Sequence, residues 1–405
     1  MTPSAPDIRA AAARIAPEAI SCLRDLIRIP SMSGDEGRIV IEIADRMEAA
    51  GFDEVKIDPF GNVMGRIGSG PRILAFDAHV DTVDVGDARL WEVDPFAAEM
   101  RDDVIYGRGA SDQKGGMACM IASGMLIKEL DLARNASVWM VGSVLEEDCD
   151  GLCWHYILNE RILAPDLVVL TEPTGLGLYR GQRGRMEIEV TTRGVSCHGS
   201  APERGLNAIH RMAPVVQEIG RLHGRLPSDA FLGPGSVTTT QIRSTAPSLC
   251  AVSDSCTIHL DRRLTAGETD ASATEEIRDI LSRAVDREGP GEPEIVVPEF
   301  RRPSHTGLVY PMRQYYPAWA MPEGHAFVQM GLEARELALG ERGEAGKWTF
   351  STNGVATMGL HGVPTIGFGP AEEVHAHSPT DQCPVDHLEK AVAFYATLAD
   401  LFARG

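Results

Sequence analysis

The 405-residue chain has no apolar run long enough to cross a bilayer. It has no internal repeat and no low-complexity tract. Basic residues are in deficit, 38 Lys and Arg against 58 Asp and Glu, and the net charge of −20 argues against nucleic acid or an anionic membrane as a partner. The first twenty residues, MTPSAPDIRAAAARIAPEAI, lack a basic segment followed by a continuous apolar stretch, so they read as an amphipathic helix and not as a secretory signal. The eight cysteines are scattered. Cys149 and Cys153 have no further thiolates at metal-site spacing and read as ordinary helix residues. Reduced thiols and a cytoplasmic location are the expectation. The Gly-rich stretch Tyr106 to Gly116 lacks the Gly-Lys-Ser/Thr ending of a phosphate-binding loop.

What is present is an ordinary globular balance, 43% hydrophobic and 24% charged, over a length that calls for at least two domains. The stretch Ile73 to Asp87 organises the rest. Ile73-Leu74-Ala75-Phe76 reads as a buried strand of a parallel sheet, and its end turns abruptly to Asp77, His79, Asp81 and Asp84. In open α/β sheets, ligands lie beyond the carboxyl ends of the strands. His79 and Asp81 share a side of an extended backbone, and a metal-binding imidazole commonly gives its other N–H to a carboxylate. Two further apolar strands end alike, Ala136 to Leu145 in Glu146-Glu147-Asp148 and Asp166 to Leu170 in Thr171-Glu172. Asp112 sits in the Gly-rich turn before a helix, Met117 to Leu130, where capping is the alternative role. Adjacent carboxylates at buried strand ends repel each other, and a cation relieves the repulsion. The recurrence points to one convergent site.

Asp7 to Ala50 reads as helical, broken at Pro30, with Ser33 to Glu36 able to start the second helix. From about Gly177 to Pro298 the pattern changes. Arg185 to Arg193 alternates, Asn207 to Leu222 is helical, Ser236 to Arg243 and Ser253 to Leu264 are strand-like, a helix starts at Thr269 and runs to about Glu288, and Pro293 to Val297 is a last strand. This β-α-β-β-α-β order is ferredoxin-like. The expected architecture is α/β, with a catalytic domain over 1–177 and 300–405 and an inserted lid over 178–299. Val385 to Phe402 is expected as a C-terminal helix.

His79, Asp112, Glu147, Glu172 and His377 combine two imidazoles with three carboxylates, a donor set that suits zinc and also Mn or Co. Two such ions bridged by a carboxylate form a hydrolytic clamp, and Glu146 stands next to a ligand in position to accept a proton.

These motifs, HVDTV at His79, GRGASDQKGG at Asp112, EEDCDG at Glu146, TEPT at Glu172, CHGSAPERGLNAI at His198 and HAHSPTDQ at His377, resemble those of the M20 metallopeptidases. That group holds acetylornithine deacetylase, succinyl-diaminopimelate desuccinylase, aminoacylase-1 and glutamate carboxypeptidase. The likeness extends from about Ala12 to Leu401. WTFSTNGVAT, SLCAVSDSC and DRRLTAGET look most like the YgeY branch, a group linked to selenium metabolism. The resemblance implies a zinc-peptidase-like catalytic domain with a mixed central sheet, an inserted lid that carries dimerisation, and two divalent ions, zinc first. His79, Asp112 and Glu172 would hold one ion, and Asp112, Glu147 and His377 the other. Asp81 would orient His79, Glu146 would be the general base, and His198 would enter the partner subunit's site to stabilise the oxyanion. His377, immediately before Ser-Pro, is preferred to His375. Asn353 and Arg263 are expected to bind substrate. Only one of the two successive arginines Arg262 and Arg263 can face the cleft, and Asp261-Arg262-Arg263 resembles the Asp-x-Arg ending of the family's lid strand, which implies Arg263. Cys250-Ala251-Val252 departs from the family's usual Asn. Glu172 matches the deacylating branches, where many peptidase branches have Asp. The expected activity is hydrolysis of the amide in a small N-acyl or N-carbamoyl amino acid. A dipeptidase or carboxypeptidase is the alternative, and an inactive metal-binding protein is disfavoured by the complete set.

Overall fold

The computed structural model describes residues 3–286 and 289–405. The N-terminal region forms two helices, Ala5–Ile27 and Gly37–Ala49. Ser4 and Asp7 make a reciprocal capping box for the first. The second has no side-chain cap, contrary to the expectation for Ser33. The Ser33 hydroxyl instead donates to Asp81 Oδ2 at 2.7 Å, which draws this connection toward the site.

A nine-stranded mixed sheet forms the centre. Its order is Glu54–Ile57, Val63–Ile67, Ala136–Ser143, Arg72–His79, Leu167–Leu170, Thr365–Gly367, Leu178–Gln182 and Trp319–Ala320, with Ala345–Trp348 also pairing Leu178–Gln182. The Arg72–His79 strand lies between Ala136–Ser143 and Leu167–Leu170 and is parallel to both. The two neighbours are buried throughout and the central strand from Leu74 on, which accounts for their unbroken apolar runs. Three parallel strands also deliver their carboxyl ends to one side of the sheet, so the polar residues after each run converge. Helices Ala5–Ile27, Gly115–Glu129 and Val385–Arg404 pack on one another, and Ala326–Leu339 joins them.

Gly115–Glu129 begins where backbone must approach backbone. A Cβ on Gly116 would lie 2.2 Å from Thr171 Oγ1 and 2.8 Å from the Thr171 carbonyl, so glycine is required for the helix to start against the Glu172 strand.

A second, antiparallel sheet is built from Gly184–Arg193, Ser236–Thr245, Ser255–Leu264 and Glu294–Val296. In sequence order its strands run 4-1-3-2, the ferredoxin-like arrangement, with helices Ala208–Leu222 and Asp270–Ala284 packed against each other. Burial alternates along Gly184–Arg193, as expected. The inward side chains Met186, Ile188, Val190, Ile258 and Leu260 join Met212, Val215, Ile277 and Ile280 in a core separate from that of the large sheet.

Three expectations need correction. The boundary at residue 178 is early, because Leu178–Gln182 pairs within the large sheet and the second core begins with the strand from Gly184. Tyr315–Tyr316, from beyond residue 299, adds to that strand by pairing Met186 and Arg185. The helix expected to reach Glu288 stops at Ala284; Arg287 and Glu288 lie outside the described residues. Cys149 is not in a helix: it closes the turn before Leu152–Asn159, and of this pair Cys153 alone is helical.

Candidate metal centre

His79, Asp112, Glu147, Glu172 and His377 come together at the strand ends. His79, Asp112 and Glu172 form one three-ligand cluster, and Asp112, Glu147 and His377 a second, each with its donor atoms within 4.8 Å of one another. Asp112 belongs to both. Its two oxygens divide between them, Oδ1 at 2.8 Å from His79 Nε2 and Oδ2 at 3.3 Å from His377 Nε2. Glu172 Oε1 is 3.8 Å from His79 Nε2, and Glu147 Oε2 is 2.9 Å from His377 Nε2. Asp112 caps no helix. It lies at φ −124°, ψ 96°, just ahead of the helix, with its carboxylate turned into the site. His375 is directed elsewhere, to Thr380 Oγ1 and Gln382 Nε2.

The electrostatics are unbalanced without cations. Burial pushes Glu172 well above the ordinary carboxyl range, and Asp112 adds to this. Burial, then the Asp112 charge, raises Glu147 to about 7. Burial also lifts Glu146 well above its usual value. Burial opposes a charged His79, yet Glu172, Asp112 and Asp81 raise it well above the imidazole range. Hydrogen bonds to Asp112 and Glu147 raise His377 to about 10. Glu146 Oε1, Glu147 Oε1 and Glu172 Oε2 are buried without a hydrogen-bond partner. Orphaned carboxylate oxygens among imidazoles are what divalent cations satisfy, so the residues fit two such ions.

Asp81 meets His79 through both its main chain and its carboxylate. The His79 Nδ1–H donates to the backbone carbonyl of Asp81 at 2.9 Å, which leaves Nε2 as the lone-pair side facing Asp112. The Asp81 carboxylate is 3.5 Å from Nδ1 and mainly accepts the backbone N–H groups of Glu146 (3.2 Å) and Glu147 (3.1 Å). Asp81 therefore faces His79 while its side chain holds the turn that carries Glu146 and Glu147.

Asn353 also departs from expectation. It is fully buried. Its Nδ2 donates to Asp77 Oδ2 (2.8 Å) and Ser143 Oγ (3.1 Å), and its Oδ1 accepts from Gly151 N–H (3.0 Å) and Cys153 Sγ (3.2 Å). With all its hydrogen-bonding capacity used internally, it is a tie between these segments.

The model of the peptidase family M20/M25/M40 matches residues 75–401. The chain belongs to this family. It is therefore a hydrolase of the M20 group, and the paired clusters are its candidate metal-ligand residues. It is 50% identical over 376 residues to the uncharacterized protein YgeY of Escherichia coli K12, covering 93% of this chain and 92% of YgeY. It is 30% identical over 280 residues to the succinyl-diaminopimelate desuccinylase of Magnetococcus marinus, covering 65% and 73% of the two chains. Among solved structures, a tripeptidase of Staphylococcus aureus superposes with a TM-score of 0.73 at 20% identity, over 96% of this chain and 99% of that one. The YXEP protein of Bacillus subtilis, a dinuclear metal-binding M20 peptidase, does so with 0.70 at 15% identity, over 97% and 99%. The mixed α/β fold is that of M20 peptidases.

In this M20 chain Asp112, Glu147, Glu172 and His377, with Glu146, form one wall of a cavity of about 350 Å³. The remaining wall carries Arg185, Arg263, Asp150, Phe350, Ser351 and Glu373. Arg185 and Arg263 are directly opposite on neighbouring strands of the second sheet. Arg263 is held by Asp261 at 2.9 Å, and Arg185 lies 3.6 Å from Asp150 and over the Tyr316 ring. Arg262 faces the other way, buried and paired with Glu268 and Glu276. Arg185 was missed in the sequence, where it is only the first charge of an alternating strand; its pairing with Arg263 depends on register. His198 is exposed and does not line this cavity.

Proposed function

We propose that the protein hydrolyses the amide bond of a small N-acyl or N-carbamoyl amino acid at a dinuclear centre. Two divalent ions, zinc in the first instance, would be held by His79, Asp112 and Glu172 and by Asp112, Glu147 and His377. When bound, such ions acidify water and polarise the scissile carbonyl. The observation that carries this reading is the shared carboxylate of Asp112 facing two guanidinium groups across one small cavity. Glu146, buried with Oε1 unpartnered, takes a proton from the attacking water and returns it to the leaving nitrogen as the C–N bond breaks. Arg263 receives the substrate carboxylate, a planar acceptor that suits its fork. Arg185, held near Asp150, sets the positive field on the same wall. Glu172 at the third ligand position and the likeness to a desuccinylase support an acyl substrate. The tripeptidase likeness keeps a dipeptide or carboxypeptidase substrate as the alternative.

The unit with its own ferredoxin-like core would be the lid and dimerisation domain, placing His198 in the partner subunit's site. Eight unpaired cysteines fit a cytoplasmic protein. The test is turnover by metal-loaded enzyme on N-acetyl, N-succinyl and N-carbamoyl amino acids beside dipeptides. Preference for a dipeptide with no activity on any acyl amino acid would overturn the acyl reading.

A further inference from the structure

The segment around His198 is bridged to the 250–252 segment. Val252 N–H donates to the Cys197 carbonyl at 2.9 Å, and Gly199 N–H to the Cys250 carbonyl at 2.6 Å. A Cβ on residue 199 would lie 2.7 Å from the Cys250 oxygen, so only glycine lets the two segments close there. The chain then turns back on the imidazole. The backbone N–H of Ser200 donates to His198 Nδ1 at 3.1 Å, and the Ser200 hydroxyl lies 2.7 Å from the same nitrogen.

A backbone N–H can only donate, so Nδ1 must offer a lone pair. With Nδ1 unprotonated, the hydroxyl can approach that one lone pair only as a donor, sharing it with the N–H. A neutral imidazole that accepts at Nδ1 carries its proton at Nε2. We propose that Ser200 is a positioning residue that holds His198 in the Nε2–H tautomer, so that His198 enters the reaction as a hydrogen-bond donor and not as a base. This rests on the reading of His198 as a contact to the partner subunit's substrate. A donor at Nε2 suits an oxygen on which negative charge develops, and its proton is in place before the reaction begins. Proton transfer is left to Glu146.

The test combines a spectroscopic and a kinetic arm on the full-length protein. Long-range proton–nitrogen correlation on ¹⁵N-histidine-labelled protein, in alkaline buffer where imidazoles are neutral, reads the tautomer; His198→Gln assigns the signals. The expected result is an unprotonated Nδ1 and a protonated Nε2 at His198. Ser200→Ala, an exposed substitution, should bring in a measurable share of the other tautomer and lower kcat about three- to tenfold. In the kinetic arm, His198→Ala and His198→Asn should lower kcat about 10²- to 10³-fold. His198→Gln, whose amide nitrogen overlies Nε2, should recover most of that loss. A protonated Nδ1 in the wild type overturns the proposal, as does a Ser200→Ala variant unchanged in spectrum and turnover. His198→Gln as impaired as His198→Ala overturns the donor role. Inactivity of the wild type on every acyl substrate would be a failure of the acyl reading, and the tautomer signal would still test the turn.

Discussion

Replacing Asn353 with alanine separates a structural tie from a substrate contact. The side chain joins the His79 strand at Asp77, the Ala136–Ser143 strand at Ser143, and the end of the Glu146 turn at Gly151 and Cys153. Asn353→Ala removes a buried hydrogen bond to the Asp77 carboxyl, worth about 1.5–3 kcal/mol, and strands the buried Gly151 N–H at about 1–3 kcal/mol. The sum is about 2.5–6 kcal/mol of lost stability, within the range of severe core polar mutations. The assay is a urea titration followed by far-UV circular dichroism, where the midpoint should fall while the slope is kept. Steady-state kinetics on the same preparation should show kcat reduced, because the turn bearing Glu146 and Glu147 loses its anchor, and KM nearly unchanged. A rise in KM with an unaltered urea midpoint would refute the reasoning and return Asn353 to the substrate side of the pocket.

Glu146→Gln should keep both metal ions by elemental analysis and lose about 10²- to 10⁴-fold in kcat, since only proton transfer is removed; normal turnover would exclude Glu146 as the base. His377→Ala should halve the bound metal, because His79, Asp112 and Glu172 remain as a complete cluster while the second loses its imidazole; full retention of two ions would place the second site elsewhere. Arg263→Ala should raise KM about tenfold or more for carboxylate substrates and far less for their amides, as expected on losing a charge-assisted hydrogen-bonded pair. Equal effects on both would mean that the arginine serves Asp261 and the strand instead. Gly116→Ala should destabilise the fold by about 1–3 kcal/mol through the clash with Thr171, read as a drop in the thermal midpoint.

The core of the site was legible because the same physical event recurs. Buried parallel strands must be apolar along their length, so the change to His79, to Glu146-Glu147 and to Glu172 marks where each leaves the sheet. Parallel neighbours then bring those ends together without any knowledge of loops. The choice of His377 over His375 came from the family motif, and the structure separates them by direction. What was not legible depends on orientation and register. Asn353 lies in a motif that leads to the pocket, yet it points beneath it, and no periodicity encodes that reversal. Asp81 is expected to serve His79 with its carboxylate, and the sequence does not reveal that its peptide carbonyl also accepts from Nδ1 while the side chain receives Glu146 and Glu147 N–H. Arg185 became visible only through its position opposite Arg263. The early domain boundary has a similar cause: Leu178–Gln182 and Gly184–Arg193 are nearly continuous strands that belong to different sheets, and only hydrogen-bond partners tell them apart.

The central claim is a pair of metal ions sharing one carboxylate. Anomalous diffraction from crystals of zinc-loaded protein, collected on either side of the zinc edge, tests it without reference to any substrate. Two anomalous peaks per chain are expected, one among His79, Asp112 and Glu172 and one among Asp112, Glu147 and His377, with an oxygen of Asp112 on each. A single peak at full zinc occupancy, or two peaks that do not share Asp112, would contradict the account.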